Sequence, residues 1–288
     1  MTETPPPQPR RRLGSRPLQL WSVGFIALIA LLAWGLLIEL PTGPQSGLQL
    51  SGPADHLIKP SHRIRVGTFN IHGGTGRDGR FDLARTAAAL KDLDFIGLNE
   101  VHCQPFVESN QAELLGRQLE IPWLFAPTEY CWRGEHFGSA VLSRLPVDHW
   151  QRIPLEHRTA VGYRNLILLN IPLEKGNLKV IITHADRTTD RPHQLQAIFS
   201  LFNSLSEPAL LMGDLNTRRA DPLLAPHLDS GNWTDCVGPH LSEDPPNRID
   251  WILARGLKSV AAGRIDNGAS DHPCLWAELD LAPYLGSP

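Results

Sequence analysis

Short runs of hydrophobic residues recur along most of the chain, separated by turn-forming Gly, Pro, Asn and Asp residues. Their length and their content of branched and aromatic side chains are typical of β-strands with at least one buried face. The predicted strands are residues 63–70, 94–100, 138–144, 163–171, 178–184, 209–214, 248–254 and 273–279.

Two segments between these strands follow the helical period instead. One is FDLARTAAALKDL, residues 81–93, and the clearer one is RPHQLQAIFSLFNSL, residues 191–205. In the second segment, the apolar residues that mark one face at a spacing of about 3.6 are Leu195, Ile198, Phe199, Phe202 and Leu205. Strands interleaved with such helices predict an α/β sandwich, with sheets packed together and helices outside.

The N-terminus has a different pattern. Residues 1–17 are rich in Pro and Arg and predict a disordered basic tail. Residues 18–40 are mostly apolar, and their only charge is Glu39 near the far end. Such a stretch is long enough to cross a bilayer core of roughly 30 Å as a helix. A buried helix and a cleaved signal peptide are the alternatives, but no small-x-small cleavage site follows cleanly before Pro41. We therefore expect a transmembrane signal anchor, with the basic tail in the cytoplasm.

The rest of the chain divides into a linker and one domain. Residues 41–61 are rich in Pro, Gly and Ser and predict a tether, whereas residues 62–288 have the composition of a globular domain. The predicted topology places this domain outside the cytoplasm, either periplasmic or extracellular.

The net charge of the chain limits the kinds of molecule that its surface can bind. The net charge of −3 and the pI near 6.5 argue against a protein that wraps nucleic acid with a generally basic surface. A local basic groove, or a bound metal that supplies positive charge, remains compatible with this composition.

Polar residues stand where several predicted strands end. Asn70 ends the first strand, Glu100 the second and His184 the fifth, and Asp214 and Asn216 end the sixth. Asp250 lies inside RIDWIL, and Asp271 and His272 come immediately before the last strand. Each residue alone could be a turn former, a cap or a surface group. That all of them stand at such positions by coincidence is much less probable than for any one alone, which favours a shared functional role.

The ordered motifs FNIHGG, LNEV, FGSAVLSRLP, THAD, GDLN, RIDWIL and SDH resemble the endonuclease/exonuclease/phosphatase superfamily. The resemblance runs from about Arg63 to Leu279. It implies a four-layer α/β sandwich of two packed, mainly antiparallel sheets flanked by helices. It also implies hydrolysis of phosphate esters assisted by a divalent metal, with Mg²⁺ expected and Mn²⁺ as a substitute.

The predicted metal ligands are oxygen donors. Glu100 with Asn70 beside it provides the hard ligands that Mg²⁺ prefers, and the resemblance makes Glu100 the principal ligand. Asp271 is expected to add a metal-side carboxylate, although it could instead cap the turn before the last strand.

The resemblance also implies the catalytic roles. Asp250 would orient His272, which would activate water or stabilise the phosphorane. Asp214 and Asn216 would hold the attacking water and the phosphate oxygens. His184 would lie across the phosphate from His272, and Arg164 would bind the phosphate, together with Asn70 and Asn216.

The substrate is expected to be a phosphate ester, either nucleic acid or phospholipid. A second histidine favours the deoxyribonuclease-like or sphingomyelinase-like branches over abasic-site endonucleases. A nuclease is the main prediction, with a phospholipid phosphodiesterase or a phosphomonoesterase as alternatives. A non-enzymatic binding domain is the least favoured class, because the expected catalytic residues are all present. The oligomeric state is open, with a monomer expected.

The cysteines are Cys103, Cys131, Cys236 and Cys274, and none has a zinc-like spacing. In an oxidising compartment, a Cys103–Cys131 disulfide would brace the loop that follows Glu100. Two or more buried free thiols are the alternative.

Overall fold

The computed structural model describes residues 1, 16–35, 39–103, 109–131, 136–158 and 162–286. These residues form two compact units, Met1–Ile38 and Glu39–Pro288. The helices are α1 (Arg16–Gly35), α2 (Leu83–Leu90), α3 (Gln111–Leu119), α4 (Arg191–Ser204) and α5 (Ala225–Asp229). The strands in chain order are β1 (Glu39–Pro41), β2 (Gln45–Gly47), β3 (Arg63–Asn70), β4 (Phe95–Cys103), β5 (Trp123–Pro127), β6 (Glu129–Cys131), β7 (His136–Ser143), β8 (His149–Pro154), β9 (Asn165–Leu173), β10 (Gly176–His184), β11 (Ala209–Asp214), β12 (Thr234–Asp235), β13 (Asp250–Arg255), β14 (Lys258–Ile265) and β15 (Cys274–Asp280).

The first unit contains α1. This helix has 20 residues and carries exposed apolar side chains, among them Phe25 and Ile26. No helix within the described ranges is long and apolar enough to cross a membrane. The predicted transmembrane anchor over residues 18–40 is therefore not supported. Helix α1 is described over Arg16–Gly35, and the last two residues of the predicted span, 39 and 40, belong to strand β1.

Two large sheets build the second unit. The seven-stranded sheet has the order β12-β13-β11-β10-β9-β8-β2, and the six-stranded sheet has the order β14-β15-β3-β4-β7-β5. Among the described strands, β3–β4 and β10–β11 are the parallel pairs, and the other neighbours are antiparallel. The prediction of two mainly antiparallel sheets flanked by helices is confirmed.

Three apolar clusters separate four layers. The cluster between the sheets includes Val66 and Phe95 from the six-stranded sheet and Val180 and Met212 from the seven-stranded sheet. A second cluster packs α2 and α3 on the outer face of the six-stranded sheet. A third packs α4 and α5 on the outer face of the other sheet. Each of these helices thus buries its apolar face against one sheet, and each sheet buries both of its faces.

The helices begin and pack as their sequences indicate. The carboxylate of Asp82 accepts hydrogen bonds from two backbone amides of the first turn of α2, and Asn110 caps α3 in the same way. On α4, the buried residues include Leu195, Ile198 and Phe202, which confirms the predicted apolar face. The predicted strand positions also agree with the structure to within a few residues.

Residues 41–61 differ from the expected tether, because they lie against the domain. Strand β2 pairs with β8 at the edge of the seven-stranded sheet. The Thr42 hydroxyl donates to the carbonyl of Pro127, and the Trp150 indole donates to the carbonyl of Gln49. These contacts make the segment part of the compact unit that begins at Glu39.

Candidate active site at the rim of the two sheets

Strand register brings the predicted residues to one rim. The parallel pairing of β10 with β11 sets His184 opposite Asp214, and the antiparallel pairing of β11 with β13 sets Asp214 opposite Asp250. In the facing sheet, the parallel pairing of β3 with β4 sets Asn70 opposite Asn99. The polar ends of these strands therefore converge at the same edge of the sandwich.

A break in the β4 ladder directs Glu100 toward this rim. The register of β4 with β7 shifts between Leu98 and Val101, and Glu100 has a positive φ of 54°. A non-glycine residue in this conformation is uncommon and is costly unless the surroundings hold it. Bulges of this kind re-aim side chains next to active sites. The carboxylate of Glu100 accordingly accepts a hydrogen bond from Asn70 Nδ2 at 3.0 Å.

Asp214 lies at the centre of the site. Its Oδ2 accepts a hydrogen bond from Asn70 Nδ2 at 3.2 Å and lies 3.6 Å from His184 Nε2 and 3.9 Å from His272 Nε2. The side chain is fully buried. Burial and the nearby charge of Asp250 raise the pKa of Asp214 to about 7, although His272, Asn70 and the Asn216 amide oppose this rise. One carboxylate oxygen thus faces both histidines.

His272 and Asp250 form a hydrogen-bonded pair. His272 Nδ1 lies 2.7 Å from Asp250 Oδ2. Burial alone would lower the pKa of His272, but the hydrogen bond and charge of Asp250, with Asp214 and Asp271, raise the pKa to about 9. His272 therefore carries a positive charge at neutral pH, and its Nδ1 is committed to Asp250 while its Nε2 faces the site.

His184 has the opposite character. Its side chain is buried, and neither ring nitrogen has a hydrogen-bond partner among the described residues. Burial, followed by the charges of Arg164, Arg187 and His272, lowers the pKa of His184 well below its ordinary value. The site therefore holds one neutral and one charged imidazole. Because buried polar groups normally have partners, the unpaired nitrogens of His184 are suited to a ligand.

The oxygen donors at the rim fit a hard divalent cation. Glu100 and Asp214 are joined through one amide nitrogen, Asn70 Nδ2, so that two carboxylates face a common region. Asn70 Oδ1 accepts a hydrogen bond from the His72 amide at 3.1 Å. Asp214, Asp250 and His272 also place one potential ligand atom each within 4.8 Å of one another. Within that group, His272 Nδ1 and Asp250 Oδ2 already pair with each other, and Asp250 Oδ1 has no partner among the described residues.

Asp271, Asn216 and Arg164 occupy the margins. The half-exposed Asp271 carboxylate lies 3.7 Å from His72 Nδ1. Asn216 has a positive φ of 48°, and its amide donates to the carbonyl of Ala185 while its backbone N–H donates to Asp214 Oδ1. The Arg164 guanidinium lies over the Phe137 ring, and its buried Nε has no partner among the described residues. The metal, catalytic and phosphate-binding roles of these residues stay predictions.

Asn99 is a supporting residue that sequence reasoning missed. Its side-chain amide donates to Ser139 Oγ and to the Thr183 carbonyl, and its oxygen accepts the backbone N–H of Asp214 at 2.9 Å. It therefore ties the two sheets together directly behind the site. An Asn within the otherwise apolar run before Glu100 was the available signal.

Two further features lie on opposite sides of the centre. Arg187 places a guanidinium nitrogen 3.7 Å from Glu100 Oε1. On the other side, a cavity of about 320 Å³ extends from His272 and Asp250 and is lined by Arg77, Arg248 and Arg264 among others. Arg77 and Arg248 are engaged in ion pairs with aspartates. Arg187 lies in the connection between β10 and α4, which the strand pattern did not describe.

Comparisons with known proteins agree with this architecture. The chain is 27% identical over 172 residues to the uncharacterized protein YbhP of Escherichia coli strain K12, covering 54% of this chain and 68% of that protein.

Two solved structures share the fold. An endonuclease/exonuclease/phosphatase from Beutenbergia cavernae superposes with a TM-score of 0.62 and 24% identity, covering 79% of this chain and 73% of that one. The D. rerio protein TDP2 complexed with a single-strand DNA product superposes with a TM-score of 0.55 and 17% identity, covering 76% and 99%. At these identities, the likeness shows the fold alone.

A family model supplies the stronger comparison. The model described as "Endonuclease/Exonuclease/phosphatase family" matches residues 67–272, a range that includes Asn70, Glu100, Asp214 and His272. Since this range is well over half of the 288 residues, the chain belongs to the endonuclease/exonuclease/phosphatase family.

Proposed function

We propose that this protein is a Mg²⁺-dependent phosphodiesterase that cleaves nucleic acid. The family comprises hydrolases that act on phosphoester bonds with a divalent metal. The observation that carries the proposal is the placing of Asp214 Oδ2 within 4 Å of both His184 Nε2 and His272 Nε2, beside Asn70 and Glu100. The space between these side chains is lined by the imidazole, carboxylate and amide groups that can bind and activate a phosphoryl group.

Glu100 and Asn70 would hold the metal, which when bound supplies charge neutralisation at the phosphoryl oxygens. The other steps belong to the protein. His272, kept in one orientation by Asp250, donates from Nε2 to an oxygen at the reacting phosphorus. His184, neutral and without a competing partner, donates to a second phosphoryl oxygen from the opposite side. Asp214, held by Asn70 and by the amide of Asn216, orients the attacking water and takes its proton as the new P–O bond forms. The ester P–O bond breaks, and the leaving oxygen takes the proton of His272 Nε2.

Arg164 contributes positive charge at the inner wall. Its guanidinium is fixed by the carbonyl of Tyr163 at 3.0 Å and by the face of Phe137. A cation held in this way can bind a phosphate oxygen without first losing much conformational freedom. We assign Arg164 to binding of the phosphate that is cleaved.

The test is a substrate panel for the purified protein with Mg²⁺, comprising plasmid DNA, RNA, sphingomyelin and phosphoinositides. We expect cleavage of nucleic acid that stops when the metal is chelated and that is lost in His272→Ala. Release of phosphocholine from sphingomyelin with intact nucleic acid would replace the nuclease by a phospholipid phosphodiesterase. Turnover of none of the substrates, in a folded protein with Mg²⁺ or Mn²⁺, would contradict the hydrolase assignment.

A further inference from the structure

The rim beside Glu100 carries a second arginine that the proposed chemistry does not use. Arg187 follows His184 by three residues, and its side chain is 63% exposed. Its guanidinium lies 3.7 Å from Glu100 Oε1, whereas Arg164 lies deeper, over the Phe137 ring. Two cations therefore stand at different depths on the His184 side of the site.

The loop that presents Arg187 is held in place by its own hydrogen bonds. The Asp186 carboxylate accepts from the backbone N–H and the hydroxyl of Thr188 and from the N–H of Asp190. The Asp186 N–H donates to Gln194 Oε1 at 2.8 Å, which ties the loop to α4. The Asp186 carboxylate is therefore engaged within its own loop. The Arg187 side chain forms its ion pair with Glu100, across the rim.

Electrostatic effects on His184 agree with this placement. After burial, the charges of Arg164 and Arg187 are the next causes that hold the pKa of His184 below its ordinary value. Both guanidinium groups consequently act on the same part of the site. A single scissile phosphate needs the inner cation, Arg164, but it leaves the outer and exposed cation without a partner in the substrate.

We propose that Arg187 binds the phosphate that neighbours the cleaved one, so that the site selects substrates with at least two consecutive phosphodiesters. This inference rests on the proposed function and deepens it. A nucleic-acid strand carries such a neighbouring phosphate, whereas a phospholipid such as sphingomyelin has a single phosphodiester. The two arginines place positive charge beside the site on a protein whose net charge is −3.

The kinetic test compares Arg187→Ala with the unaltered protein on two probes, a ten-residue oligothymidylate and bis(p-nitrophenyl) phosphate, which has one phosphodiester. We expect kcat/KM on the oligonucleotide to fall about tenfold, corresponding to about 1.4 kcal/mol. This factor should be at least five times the factor by which kcat/KM falls on the small probe. Arg187→Lys should restore part of the loss, since it keeps the charge. Equal losses on both probes, or no loss on either, would overturn the proposal.

A matched control is Arg63→Ala. The Arg63 side chain is 57% exposed and pairs with Glu278, but it lies at the start of β3, at the end of the strand away from Asn70. This variant should keep both activities. If it lost oligonucleotide activity selectively, the effect of Arg187 would be a general one of surface charge and the proposal would fail.

A binding measurement gives a readout besides activity. In the His272→Ala background with Mg²⁺, fluorescence anisotropy would follow binding of the same oligothymidylate between low and moderate salt. Adding Arg187→Ala should reduce the slope of log affinity against log salt by about 0.7, the value for one phosphate contact on a single strand. An unchanged slope would contradict the contact. Failure of the proposed function is distinguishable, since the unaltered protein would then leave the oligothymidylate intact, whether or not it hydrolysed the small probe.

Discussion

At the scale of single residues, the backbone conformation of Glu100 is the feature most specific to the site. A positive φ at a bulge directs its carboxylate toward Asn70 and the rim. Such a conformation persists only where the surrounding structure compensates its cost. We infer that this backbone conformation serves to present the Glu100 carboxylate to the site.

Replacing Glu100 by Gln tests the metal assignment. Glu100→Gln removes the charge and keeps the shape, so we expect activity to fall on the order of a hundredfold and to require much higher Mg²⁺. The measurement is turnover as a function of Mg²⁺ concentration. The control carboxylate is Glu278→Gln, on β15 beside the start of β3 and away from Asn70. Undiminished turnover at ordinary Mg²⁺ would remove Glu100 from the site.

The two histidines should act as a unit. His184 and His272 both face Asp214 Oδ2, so each single change to Ala should reduce kcat by a large factor. The double variant should lose less than the product of the single losses, because one transition state depends on both. Fully multiplicative losses in steady-state kinetics would indicate that the histidines do not share a transition state.

At the scale of elements, α5 and the outer face of the seven-stranded sheet contain a titratable contact. The His227 ring stacks on Trp233 at 4.1 Å between ring centres and meets Phe199 edge-on. Burial lowers the pKa of His227 below its ordinary value of 6.5. The unfolded chain therefore binds a proton more readily than the folded chain does, so this contact loses stability as the pH falls below 6.5.

His227→Phe keeps an aromatic ring and removes the titration. We expect the free energy of unfolding of the unaltered protein to fall more between pH 7.5 and pH 5.5 than that of the variant. Urea unfolding monitored by tryptophan fluorescence at both pH values measures this difference. Identical pH dependence in the two proteins would show that His227 is not protonated differently on unfolding.

At the scale of the whole molecule, the segment before β3 belongs to the fold. Arg152 is buried, with 4% exposure, and its Nε donates to the carbonyl of Gly43 at 3.0 Å. The indole N–H of Trp150 donates a hydrogen bond to the carbonyl of Gln49, in the same segment. The segment thus covers β8 with a three-residue edge strand, β2, and a very short edge strand is less liable to pair with other chains.

A protein that begins at residue 62 should be less stable than one that begins at residue 39. Losing the buried hydrogen bonds of Arg152 and Trp150 should cost about 2 kcal/mol or more. For a domain of this size, that lowers the melting temperature by roughly 4–8 °C. The melting temperatures of the two proteins are measured by thermal unfolding followed by circular dichroism. Equal melting temperatures would show that residues 39–61 act as a tether and do not stabilise the domain.

Two predictions at this scale stay untested. The side chain of Cys131 lies outside the described residues, so the proposed Cys103–Cys131 disulfide stays a prediction. The extracytoplasmic location of the domain is likewise a proposal, and a reporter fused to the C-terminus would test it.

The sequence by itself determined the chemistry of the rim and the positions of most strands. Alternation of apolar residues is local, and so are the Asn, Asp, Glu and His residues at strand ends, which predicted the site around Asn70, Asp214 and His272.

Tertiary structure decided the rest. The bulge at Glu100, the burial that keeps His184 neutral and the reach of Arg187 across to Glu100 depend on neighbours distant in sequence. Residues 41–61 looked like a tether because the pairing of β2 with β8 joins residues about 100 positions apart and leaves no local pattern. Strand register, burial and the distance between charges depend on which residues pack together in the fold. A single sequence contains these residues but does not state which of them become neighbours.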